Sequence, residues 1–135
     1  MTASSLVASA SAAAVVIPRR GIAAGIYRWT ARAYVAAIGF QVFLAGLFVF
    51  VGASMLPLHM TFAHVFIVLT TLLVGSALVG RLDGTRRRDA LVMLGLLIVQ
   101  GMLVHLRVVS PVISAFHPVN ALVMFWWSTQ VAKRA

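Results

Sequence analysis

The sequence predicts an all-α protein: a four-helix transmembrane bundle running up-down-up-down. Three observations predict it. Of the 135 residues, 62% are hydrophobic and only 10% are charged, against roughly 45–50% apolar in soluble domains. The apolar residues gather into four continuous runs. The basic residues gather between and beyond those runs, almost all on one side.

The first eighteen residues, MTASSLVASASAAAVVIP, are small and of low complexity. A signal peptide carries positive charge ahead of its apolar core, and none is present here. Residues 1–18 therefore read as a mobile tail. The stretch 18–32 follows, with Arg19, Arg20, Arg28 and Arg32 beside Tyr27 and Trp29. That mixture suits a segment lying at the membrane surface, so 1–32 forms an N-terminal arm and 33–132 the membrane domain.

The apolar runs cover residues 33–56, 60–80, 90–109 and 112–132. Each approaches the ~20 residues that a helix needs to cross ~30 Å of hydrocarbon. The runs do not alternate in polarity, which argues against strands. Arg81 and Arg86–Arg88 fall between the second and third runs, and Lys133 and Arg134 follow the fourth. Of the 11 Lys and Arg, only Arg107 lies on the opposite side. The positive-inside rule then places both termini and the 81–89 turn in the cytoplasm, and the expected location is the bacterial cytoplasmic membrane. The outer connections, near Pro57 and Ser110–Pro111, are short, so the spans pair into two tight hairpins.

Composition excludes several functions. The sequence pI of about 12.0 would fit a nucleic-acid binder, but the basic residues flank apolar runs instead of lining a soluble face. Lipid is the expected partner and nucleic acid is not. With no cysteine, disulfides, thiolate chemistry and iron–sulfur clusters are excluded. Asp83 and Asp89 are the only acidic side chains, too few for an intramembrane carboxylate relay.

The two hairpins resemble each other and suggest a duplicated two-helix unit. Met60-Thr61-Phe62-Ala63-His64-Val65 aligns with Ile113-Ser114-Ala115-Phe116-His117-Pro118, and each hairpin has a Gln in its first helix, Gln41 and Gln100. In this alignment His64 and His117 sit at similar depth on parallel, diagonal spans. With neighbouring axes 8–10 Å apart the diagonal is on the order of 13 Å. Two imidazoles meeting one iron through bonds of roughly 2 Å require about that separation. His117 shares its helix face with Asn120 and Ala121. Gly46 and Gly101 would admit a flat macrocycle near the backbone. Arg107, seven residues after Gln100, would share its face and pair with a haem propionate. His105 is a third ligand candidate or a hydrogen-bond partner, and His59 a solvated loop residue. An outer copper or zinc site built from the four histidines is a competing reading.

The stretch LGLLIVQGMLVHLRVVSPVISAFHPVNALVMF, residues 94–125, resembles one hairpin of haem A synthase, with Gln100-Gly101, His117 and the small Ala121 in matching places. The similarity runs over about residues 35–130. It implies a four-helix half that holds one haem between histidines of its second and fourth helices. The family's Glu and Arg flanking its first ligand correspond to Thr61 and Val65, which implies haem holding and not haem modification. The expectation is a small b-type cytochrome, not an enzyme on its own, that binds haem b through His64 and His117 and exchanges electrons with quinol or a membrane complex. The alternative is a cofactor-free subunit of a larger complex. The Phe125-Trp126-Trp127 stretch reads as an interfacial aromatic belt.

Overall fold

The computed structural model describes residues 19–135. The expected mobile tail, 1–18, lies outside the described residues. Among them the chain is helical and contains no strand. The helices are α1 (Arg19–Phe50), α2 (Leu56–Phe62), α3 (His64–Val79), α4 (Gly84–His105), α5 (Pro111–Ser114) and α6 (Phe116–Arg134). Short 3₁₀ turns lie at Ala53–Met55 and Leu106–Val108.

Three helical stretches, Arg20–Phe50, Ala53–Val79 and Gly84–Val108, are long and apolar enough to cross a membrane. The fourth, α6, has 19 residues, about 28 Å of helix. His117, Asn120, Ser128, Thr129 and Gln130 dilute its apolar character. The outward faces are rich in large apolar side chains such as Phe43, Ile67, Ile98 and Leu122. Such surfaces suit contact with lipid.

Residues 19–32, most of the expected surface segment, are continuous with the first span. α1 runs unbroken for 32 residues, roughly 48 Å. Its buried stripe recurs at Ala23, Tyr27, Ala31, Tyr34, Ile38 and Leu44, a helical period that starts well before residue 33. No proline interrupts it. Ala23 is small enough to pack on Gly80, where an added Cβ would collide with the Ala23 side chain and the Ser76 carbonyl. Gly80 thus marks close helix approach, whereas an added Cβ at Gly75 meets nothing.

Each connection has a local cause. α3 ends where Leu82 N–H bonds the Ala77 carbonyl at 3.0 Å and Arg81 adopts φ 49°, a left-handed termination usually left to glycine. α4 begins at Asp83, whose side chain accepts from Arg86 N–H at 3.0 Å, an N-cap. Pro57 in the first turn of α2 and Pro111 in that of α5 start both return helices.

α1 packs against α3 and α6, and α4 packs against the same two; the backbones of α1 and α4 stay apart, as do those of α3 and α6. These pairs therefore face each other across the middle. The basic half is tightly filled: Tyr27, Tyr34, Leu73, Ala77, Met93, Ser128 and Val131 are buried, and the Tyr34 hydroxyl meets Thr70 Oγ1 at 3.1 Å. The histidine half is looser. Between residues 94 and 123 no residue is fully buried, and between 39 and 62 only Leu44 is.

Candidate functional site

Two amide–imidazole couples meet at the histidine end. The first joins α1 to α2. Gln41 Nε2 donates to the His59 backbone carbonyl at 3.0 Å and contacts His59 Nε2 at 3.2 Å. A carbonyl only accepts, so the amide nitrogen faces His59 and its Nε2 is the acceptor. The remaining proton belongs to Nδ1. That atom and Gln41 Oε1 are both buried without a partner among the described residues.

The second couple joins α4 to α6 and is complete. Asn120 Nδ2 donates to the Leu96 carbonyl at 3.0 Å and to Gln100 Oε1 at 2.6 Å. The Leu96 carbonyl fixes the Asn120 amide, and Asn120 then fixes that of Gln100. Gln100 Nε2 is left facing His117 Nε2 at 3.2 Å. His117 Nε2 accepts, and its Nδ1–H points at the Gln100 carbonyl, 3.3 Å away. One backbone carbonyl thus sets the tautomer of an imidazole through two side-chain amides.

The two imidazoles face each other across the middle, with ring centroids 6.5 Å apart and planes at 66°. The expected partner of His117 was His64, and the structure places His59 there instead. His64 is exposed, with Nδ1 at 3.1 Å from the Thr61 carbonyl three residues back. Pro57 starts the helix at Leu56, so His59 is helical and not in a loop. The helix then tightens at Ala63, where Phe66 N–H bonds the Ala63 carbonyl three residues back. The ring five residues after His59 consequently turns outward.

The repeat thereby moves by five residues. Gln41 and His59 are 18 apart, Gln100 and His117 17 apart. Small residues, Ala63 and Ala121, follow each histidine by four. That double spacing was present in the sequence and identifies His59. The equivalent of Asn120 is Phe62, which packs edge-on to Phe40 at 4.8 Å and cannot complete the Gln41 amide.

The other expected site residues are not drawn in. His105 is exposed and bonded to the Gly101 carbonyl at 2.8 Å. Arg107 is exposed in the 3₁₀ turn after α4, beyond the helix that carries Gln100. It has no ion pair among the described residues. Gly101 is exposed, and an added Cβ at Gly46 or Gly101 meets nothing within 4 Å. No cluster of three His, Asp or Glu suited to a metal ion occurs among the described residues.

At the basic end lies a second polar feature that the sequence reading passed over. Asp89 is only 1% exposed. Its Oδ2 accepts from Arg134 Nε at 3.1 Å and Nη2 at 2.8 Å, and its Oδ1 from Arg88 at 3.4 Å. Arg134 also lies 5.9 Å over the Trp127 ring, while Trp126 stays exposed. Tyr27 donates to the Arg86 carbonyl at 3.1 Å.

A family model described only as a family of unknown function (DUF6220) matches residues 41–107. The match begins at Gln41, includes His59 and Gln100, and stops before His117. No curated protein matches the chain, and no solved structure matches it.

Proposed function

We propose that the chain is a four-span transmembrane bundle of the bacterial cytoplasmic membrane that holds one haem b between His59 and His117. The observation that carries this reading is the 6.5 Å between the two ring centroids. Two metal–nitrogen bonds of roughly 2 Å, each extended by about 1.2 Å from nitrogen to ring centre, give about 6.4 Å. Zinc or copper sites usually gather three or four protein ligands; haem iron asks for only two axial ones.

The surroundings support it. The histidine half, in which few side chains are buried, suits a flat macrocycle. His117 Nδ1–H directed at the Gln100 carbonyl is the outer-shell bond that orients ligating imidazoles. Each Nε2 lone pair is held by a glutamine amide, which would swing aside. Arg107, on the same end, would take a propionate. When bound, haem b supplies a one-electron couple, and two imidazoles leave no open iron position. Electron transfer with quinol or a membrane complex follows better than haem modification. The likeness of residues 94–125 to a haem A synthase hairpin points the same way. Both termini and the 81–89 turn would be cytoplasmic by the positive-inside rule.

A second reading has its own support. Both Nε2 atoms already accept hydrogen bonds, so the couples also work as interhelical clasps in a cofactor-free subunit. The reduced-minus-oxidised spectrum of the purified protein separates the two. An α-band near ~560 nm with about one haem per chain is expected. His59→Ala and His117→Ala should each abolish the six-coordinate spectrum, and His64→Ala should retain it. Colourless protein after expression with added haem would leave the clasp.

A further inference from the structure

We infer that the groove between the end of α3 and the start of α4 is a binding site for one anionic glycerophospholipid. The groove measures about 590 Å³ and is lined by Leu78, Gly84, Arg87, Arg88, Leu91 and Val92. Its lining is mostly apolar, and two arginines stand at its edge toward the 81–89 turn. A phosphodiester headgroup bearing an acyl chain has that same division of polarity along its length.

The charges at the rim are available. Asp83 caps α4 through the Arg86 N–H and pairs with Arg86, not with Arg87 or Arg88. Asp89 is buried and taken up by Arg134. Arg88 reaches Asp89 Oδ1 only at 3.4 Å and leaves 64% of its side chain exposed. Arg87 is exposed and has no acidic partner among the described residues. Asp89 is shared between Arg134 and Arg88, so one carboxylate does not neutralise the arginines at this end, and Arg87 is left to a counterion from outside.

The apolar side chains extend from the rim along the membrane-crossing direction of α3 and α4. Leu78 is the last residue but one of α3, level with the rim, and Leu91 and Val92 lie two turns into α4. An acyl chain laid there would run with the helices while its phosphate stayed level with Arg87 and Arg88. Gly84 presents no side chain in the way, and an added Cβ there meets nothing within 4 Å. Basic pockets between transmembrane helices commonly select anionic headgroups in this manner. The site lies at the opposite end from the imidazoles and does not depend on what they hold.

The test offers delipidated, detergent-purified full chain an equimolar mixture of dioleoyl-phosphatidylglycerol and dioleoyl-phosphatidylcholine, and reads bound lipid by native mass spectrometry. The two lipids share their chains and differ in headgroup charge. Each arginine at the rim contributes roughly a fivefold preference, so phosphatidylglycerol should be retained several-fold over phosphatidylcholine. Arg87→Gln/Arg88→Gln should bring the ratio close to one. Arg20→Gln/Arg28→Gln removes the same charge from the same end and should leave the preference intact. Leu91→Trp keeps both arginines, fills the groove, and should lower retention of both lipids. Excess inorganic phosphate should not displace the lipid. Equal loss in the two double variants would reduce the effect to net charge and overturn the site. Equal retention of both lipids by the unmodified chain would overturn it as well.

Discussion

Removing Arg134 should cost more than neutralising Asp89, although the two form one ion pair. Asp89 is 1% exposed and the Arg134 side chain is 41% exposed. In Arg134→Gln the carboxylate stays buried and loses both of its short donors, 2.8 and 3.1 Å. Breaking a buried pair from one side costs about 3–5 kcal/mol, and the Arg88 contact at 3.4 Å softens it, so about 3 kcal/mol is expected. In Asp89→Asn the guanidinium turns to water and the amide oxygen still accepts. The loss is then that of a charge-assisted bond reduced to a neutral one, about 1.5 kcal/mol. The double variant should cost little more than Asp89→Asn, which leaves a coupling of about 2–3 kcal/mol. Arg134→Lys should not rescue, since an ammonium cannot present the Nε and Nη2 donors together. Unfolding of the detergent-purified protein, followed by circular dichroism and by tryptophan emission, measures all four. Equal single costs that add in the double variant would refute the reasoning.

Three further outcomes follow from the same geometry. Gly80→Ala should destabilise by about 1–3 kcal/mol, because its Cβ meets Ala23 and the Ser76 carbonyl; Gly75→Ala, where nothing is met, should be close to neutral in the same unfolding assay. The Arg86 backbone N–H holds the Asp83 carboxyl below its ordinary 3.8. A depressed carboxylate stabilises above its unfolded pKa and loses that contribution as pH falls through the folded value. Stability measured from pH 5 downward should therefore fall below about pH 4 and fall less in Asp83→Asn, which keeps a cap without a proton to gain. The chain has no cysteine, so single cysteines report topology directly: in intact cells a membrane-impermeant maleimide should label Ser110→Cys and spare Thr85→Cys, and the reverse pattern would invert the proposed orientation.

The helical character and the apolar helices were legible because continuous apolar runs leave few alternatives. Boundaries were less so. The composition of 18–32 looks interfacial, yet the Ala23–Tyr27–Ala31–Tyr34 stripe continues the period of α1 through it. Polar composition masked a helix face that the spacing alone revealed. His59 was misplaced for a related reason: Pro57 reads as a turn, and here it is the first turn of a helix. Aligning the histidines by the apolar runs that followed them selected His64. Aligning them by their distance from Gln41 and Gln100 would have selected His59. The Asp89–Arg134 pair spans 45 residues and belongs to the approach of α4 and α6, which no local pattern encodes.

The two imidazoles share a design but not a degree of completion. On the α4–α6 side every polar atom of the Gln100 amide has a partner, and Asn120 is anchored to backbone. On the α1–α2 side Phe62 occupies the equivalent place, and Gln41 Oε1 and His59 Nδ1 are buried with none. Buried polar atoms left unpaired cost about 1–3 kcal/mol each, so they persist where something else repays the cost. The aromatic side chain at position 62 thus leaves the Gln41 amide without the partner that Asn120 gives Gln100. Phe62 sits in an aromatic run with Phe40 and Phe66, at centroid distances of 4.8 and 6.1 Å. That run joins apolar surface from α1, α2 and α3 at the place where the α4–α6 side carries an amide.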